Sequence, residues 1–176
     1  MIGNDIIDLA LAKKESNWRR KGYLDKIFTP TEQWLILGSS KPDTMVWNLW
    51  SRKEAAYKIY NRETGIRGYF PLQLECFYES QTIGSVSIQG KTYFTKTKIS
   101  NTKIHTIAVA NPVYFDEITT LNTRVKISKI NGIPFILDQT TKKIKPVSIS
   151  HHGKLWVGIT LLDQNFRYNN LLNPQS

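Results

Sequence analysis

Apolar residues gather at Ile2, Ile6, Ile7 and Leu9, a run short and dense enough to predict a buried strand over residues 2–9. Asp5 sits inside that run with apolar residues on both sides, where an acid needs a chemical reason. Asp8, at the strand's end, suits the cap of a following helix, and the same explanation is open to Asp5. Residues 10–26 read as a basic helical segment. Phe28-Thr29-Pro30-Thr31-Glu32 is a compact helix start: Thr29 caps, Pro30 takes the first helical position and Glu32 completes a capping box. That helix is expected to run to Gly38 and, after a break at Lys41-Pro42-Asp43, a longer one is predicted over 43–61.

Beyond Gly65 the pattern changes to alternation, which predicts strands over 72–78, 85–89, 91–98 and 103–110, with turns at Ile83-Gly84 and Gln89-Gly90. Asn111-Pro112 interrupts, 125–130 resumes the alternation, and Asn131-Gly132 marks another turn. The last clear element is 146–162, with Ser150-His151 at a turn and an apolar strand over 155–162. The Asn- and Gln-rich end from 166 to 176 is expected to fray, leaving one domain over 1–165. After the first strand, helices precede the remaining strands, and the expected class is α+β, an antiparallel sheet packed against helices.

The 43–61 helix holds the densest chemistry. In Trp50-Ser51-Arg52-Lys53-Glu54-Ala55-Ala56-Tyr57-Lys58, helical spacing puts Trp50, Glu54 and Lys58 on one line. Glu54 and Lys58 fit either a phosphate-handling site or an ordinary surface pair worth about 0.3 kcal/mol. Lys53 falls elsewhere, beside Val46, Leu49, Ala56 and Tyr60, where its ammonium needs a partner or a route to water.

Charge narrows the partners. A net charge of +10 favours an anionic one, and the positive residues are spread along the chain rather than gathered in a tail. Zinc-finger spacings and Gly-rich phosphate loops are absent from the sequence, and the lone Cys76 excludes an internal disulfide. The first residues lack a basic start and carry two aspartates, so neither a secretory signal nor a membrane span is expected there, and a cytoplasmic protein is. Asp5 and Glu54, brought face to face across a strand and a helix, would repel, and a hard divalent cation is the usual remedy. Magnesium keeps few protein ligands and several waters or phosphate oxygens, so two carboxylates beside lysines point to a pyrophosphate substrate. Ser150 and His151 offer a hydroxyl and an imidazole for further phosphate contacts.

These pieces resemble the 4'-phosphopantetheinyl transferase superfamily. Its signatures are an N-terminal G-x-D before an apolar-rich strand, a central W/F-[SAT]-x-K-E-[AS]-x-x-K helix, and S-x-S-H. Here they stand as Gly3-Asn4-Asp5, Trp50-Ser51-Arg52-Lys53-Glu54-Ala55-Ala56-Tyr57-Lys58 and Ser148-Ile149-Ser150-His151. Their order, like Phe28-Thr29-Pro30-Thr31-Glu32 and Gly132-Ile133-Pro134, is similar to the small holo-acyl-carrier-protein synthase type. Agreement is densest over 1–62 and 130–162. The stretch 66–125 matches no signature and is expected to be family strands carrying an insertion.

The resemblance implies transfer of the 4'-phosphopantetheine arm of coenzyme A to a serine of an apo carrier protein, releasing adenosine 3',5'-bisphosphate. Asp5 and Glu54 would hold Mg2+, and Glu54, directly or through a water on the metal, would take the serine proton. Lys58 would stabilise developing phosphate charge, and Lys53, Ser150 and His151 would bind coenzyme A phosphates. The acidic carrier protein would dock on Lys13, Lys14, Arg19 and Arg20, for which a solvated basic helix face is the plainer explanation. The resemblance also implies a homo-oligomer, the trimer of the small type, with Ser150 and His151 facing Asp5 and Glu54 of a neighbouring subunit; the insertion would preserve or replace that contact. A noncatalytic basic module that binds carrier protein or nucleic acid is the alternative, and it leaves three ordered signatures unexplained. No nucleic-acid or membrane partner is expected.

Overall fold

Small residues at one crossing set the frame. Strand β1 (Ile2–Asp8) lies against helix α4 (Pro42–Thr64), and a side chain at Gly3 would collide with the Ala55 carbonyl oxygen. Ala55 and Ala56 are fully buried there, so strand and helix approach closely and Asp5 is carried to the α4 surface. The computed structural model describes residues 1–123 and 125–162; the end expected to fray lies outside them.

Between β1 and α4 run three short helices, α1 (Leu9–Glu15), α2 (Tyr23–Ile27) and α3 (Pro30–Leu37). Asp8 caps α1 by accepting from the Ala10 and Leu11 amides. The single basic helix expected over 10–26 is therefore two, interrupted before Gly22, whose φ of 74° no continuing helix adopts. The Thr29–Glu32 capping box forms as expected.

The chain then builds β2 (Glu75–Tyr78), β3 (Ile83–Ile88), β4 (Lys91–Ile99) and β5 (Lys103–Val109), which join β1 in the antiparallel order β1-β5-β4-β3-β2. The inner face of this sheet packs Val86, Tyr93, Ile104 and Ala108 against Val46, Leu49 and Ile59 of α4. Strands β6 (Ile118–Thr120), β7 (Ser128–Ile130), β8 (Ile133–Leu137), β9 (Ile144–His152) and β10 (Leu155–Leu161) form a second sheet in the order β6-β10-β9-β8-β7. The expected α+β class holds, with two antiparallel sheets among the described residues.

Gln89-Gly90 and Asn131-Gly132 are tight hairpin turns, each with both φ angles positive. Ile83-Gly84 is not a turn but part of β3. Its glycine has a packing cause: a Cβ there would collide with the Arg52 guanidinium, which donates to the carbonyls of Ile83 (3.0 Å) and Ser80 (2.8 Å) and so braces the true turn at 79–82.

The two sheets meet at the outer edge of β1, whose amides would otherwise be unpaired. Side chains from alternate positions of β9 take their place. Asn4 N donates to Ser148 Oγ (2.9 Å), Ile6 N to Ser150 Oγ (3.0 Å) and Asp8 N to His152 Nδ1 (2.9 Å). The carbonyls of the same edge are met by cations one helical turn apart on α4: Lys58 Nζ donates to Asn4 O (2.7 Å) and Arg62 Nη1 to Ile2 O (3.0 Å).

Candidate active site

That junction converges Asp5 from β1, Glu54 and Lys58 from α4 and Ser150 from β9. Ser150 Oγ donates to Asp5 Oδ1 at 2.9 Å, and Lys58 Nζ lies 3.6 Å from the same oxygen. Burial raises the Asp5 carboxyl above its ordinary range despite the opposing pull of Lys58 and Ser150. Burial also pushes Glu54 up to about 7, helped by the Asp5 charge and opposed by Lys58 and Tyr69. Two carboxylates thus share one ammonium that is already committed, since Lys58 also donates to Asn4 O (2.7 Å) and Ile149 O (3.3 Å). The site is short of positive charge.

Asp5 and Glu54 open on a cavity of about 300 Å³, walled on its apolar side by Tyr23, Trp47 and Trp50 and reached by His151 and His152. The structure brings together Asp5, Glu54, Lys58, Ser150 and His151, all within one chain. The Ser150 hydroxyl, expected at phosphates, is instead engaged by Ile6 N and Asp5, which makes it a device for orienting the carboxylate. His151 is exposed at the cavity and lies in β9 rather than at a turn, which falls at Gly153-Lys154.

Lys53 requires correction. Expected at coenzyme A phosphates, it is wholly buried and paired with Glu32 Oε2 at 2.6 Å, donating also to Ile27 O (2.9 Å) and Pro71 O (2.8 Å). Its position on the apolar side of α4 already demanded such a partner, but Glu32 was accounted for by its capping box. Glu32 does both, holding Thr29 N and Lys53 with Oε2 and Cys76 N with Oε1.

Lys13, Lys14, Arg19 and Arg20 are all exposed. Lys13 and Arg19 line a second cavity of about 380 Å³ that shares Ser16 and Trp47 with the first. Arg19 there forms two contacts with Asp43, at 2.7 and 3.2 Å, and stacks on Trp18. Ser148, quoted only as part of a signature, and His152, expected to shape a turn, both hold β1 in place. Their signal was the period of two through Ser148, Ser150 and His152, which puts all three on one side of a strand.

Magnesium suits this donor set. Two hard carboxylate oxygens raise one another's affinity for a cation, and among the described residues no cluster of three His, Cys, Asp or Glu side chains closes the site. A cation held here would complete its coordination with waters and ligand oxygens. Among the described residues no helix is long and apolar enough to cross a membrane.

Comparison with known proteins points to the same family as the G-x-D, K-E-A and S-x-S-H signatures do. The model of the 4'-phosphopantetheinyl transferase superfamily matches residues 1–111, and the chain belongs to that family. The match runs through most of the stretch that carries no signature, and β2–β5, which that stretch forms, are continuous with β1. Among solved structures, holo-[acyl-carrier-protein] synthase of Helicobacter pylori, in complex with coenzyme A, is similar at 15% identity over 62% of this chain and 98% of that one, with a TM-score of 0.50. The corresponding synthases of Neisseria meningitidis (16% identity, 61% of this chain and 94% of that one covered, TM-score 0.44) and Thermotoga maritima (12% identity, 99% and 90% covered, TM-score 0.48) are also similar. Comparison with curated proteins gives no match.

Proposed function

We propose that this protein transfers 4'-phosphopantetheine from coenzyme A to a serine of an apo carrier protein, releasing adenosine 3',5'-bisphosphate. The observation that carries the reading is the pairing of Asp5 and Glu54, from two of the family's signatures, on one cavity beside Lys58. Asp5 and Glu54 would hold Mg2+, which when bound supplies charge neutralisation to the pyrophosphate. Glu54 takes the proton of the incoming serine hydroxyl as general base. The serine oxygen bonds to the phosphorus of the pantetheine half as the bond to the adenosine half breaks. Lys58, held by two carbonyls, faces the charge that builds there. Ser150 keeps Asp5 turned toward the cavity, and His151, exposed at its rim, meets coenzyme A phosphate. The cavity's aromatic side covers the reacting centre from water. Lys13, Lys14 and Arg20 attract an acidic carrier, with Arg19 in the adjoining groove.

Intact-mass analysis of an apo acyl carrier protein incubated with this protein, coenzyme A and magnesium tests the reading. A gain of one phosphopantetheine, abolished by a chelator, is the expected result. No gain across several carriers, with the protein folded, would overturn it.

A further inference from the structure

Among the described residues, the Tyr69 hydroxyl is buried with no hydrogen-bond partner. Such a group costs about 1–3 kcal/mol and calls for a reason. Its placement is built from several sides. Trp50, Glu54 and Tyr57 fall on one face of α4 at successive turns. The Tyr69 ring stands edge-on to Trp50 (5.4 Å between centroids) and to Tyr57 (5.3 Å), so it straddles the residue between them, Glu54. Tyr57 adds a second tie, its hydroxyl accepting from Gly68 N (3.2 Å), and Lys53 anchors the following turn through Pro71 O (2.8 Å). After burial, the Glu54 charge is the foremost cause that pushes the Tyr69 phenol well above its ordinary range, so the hydroxyl keeps its proton.

We propose that Tyr69 is a positioning residue for Glu54: its hydroxyl donates to the ionised carboxylate and holds it toward Asp5 and the cavity. The inference rests on the reading of Asp5 and Glu54 as the metal-binding, reacting centre. A phenol donating to a carboxylate is a charge-assisted bond, stronger than a neutral one. The unpartnered hydroxyl is the waiting half of that bond.

Tyr69→Phe keeps the ring and both edge contacts and removes only the hydroxyl. Magnesium affinity by titration calorimetry and kcat for transfer should each fall about 10–100-fold, as when outer partners of ligands are removed, with KM for coenzyme A within about two-fold. The Tm should fall by no more than the loss of one hydrogen bond accounts for, because the ring packing stays. Tyr69→Leu, which also loses the ring, should lower the Tm further and so separates packing from positioning. Tyr69→Phe that binds magnesium as tightly as the unaltered protein overturns the inference and leaves the proposed function standing. An unaltered protein that neither binds magnesium nor transfers phosphopantetheine overturns both.

Discussion

Helix α4 supplies the lysine of two carboxylate–lysine pairs that differ in every respect that matters. Glu32 and Lys53 are 2.6 Å apart with both side chains wholly buried, and each makes further hydrogen bonds, so neither has capacity left. Asp5 and Lys58 are 3.6 Å apart with 13% and 25% of their side chains exposed, and a second carboxylate, Glu54, presses on them. The first arrangement is neutral and closed. The second has surplus negative charge and an opening to a cavity of about 300 Å³. A buried pair that is satisfied ties elements together, here α4 to the α2–α3 link and the segment before β2. One left unsatisfied is poised to take a cation and an anionic substrate.

The comparison breaks most visibly if the open site is disarmed. Glu54→Gln and Asp5→Asn should each lower turnover by about 10²-fold or more, since several kcal/mol of charge stabilisation depend on them. Both should melt at or above the temperature of the unaltered protein, because each removes one of two repelling buried acids. Carrier modification followed by mass, with a thermal melt alongside, reads both quantities. Near-normal turnover in either variant would sink the metal assignment.

The closed pair should respond in the opposite sense. Lys53→Met leaves Glu32 buried and uncompensated and should cost about 3–5 kcal/mol of stability with little change in turnover per folded molecule. Adding Glu32→Gln should restore part of the loss. Denaturant titration measures both. A normal midpoint with a raised KM for coenzyme A would return Lys53 to the phosphates and erase the contrast.

Acidity gives a finer test. In the fold Glu54 keeps its proton up to about pH 7, against an ordinary value of 4.5, so between the two the folded state binds the extra proton. Stability from this group is therefore present at low pH and declines as pH rises through that window, by at most about 3 kcal/mol. Asp5, also raised, acts in the same direction. Melts of metal-free protein at pH 5 and pH 8 should show the decline, Glu54→Gln should flatten it, and magnesium should reverse it by binding the ionised form. A decline equally steep in Glu54→Gln would assign it to other groups.

The outline of this arrangement was legible in local patterns. The Thr29–Glu32 box, the strand around Asp5 and the helix with Glu54 and Lys58 on one line are set by spacing alone, and they form as expected. What escaped depended on long-range partners. Nothing near Lys53 in sequence names Glu32, 21 positions earlier, and a residue already explained by a capping box gave no reason to look further. Gly84 resembled a turn glycine because its cause, the Arg52 guanidinium, arrives from a distant helix turn. His152 and Tyr69 were hidden for the same reason: their partners are the edge of β1 and the face of α4.

The smallest expected effect lies away from both pairs, on the basic surface. Arg19 is held by both oxygens of Asp43 and stacked on Trp18, so much of its charge is already answered. Lys14 is exposed in the last turn of α1, and no ion pair among the described residues involves it. Lys14→Glu should raise KM for an acidic carrier several-fold, worth about 1 kcal/mol, and lessen the rise of that KM with salt, leaving kcat unchanged. Arg19→Ala should do less to the carrier's KM and more to the local structure, since Asp43 and Trp18 both lose a contact. If the two substitutions instead shift KM equally, the ion pair with Asp43 is open in solution and Arg19 belongs to the docking face on the same terms as Lys14.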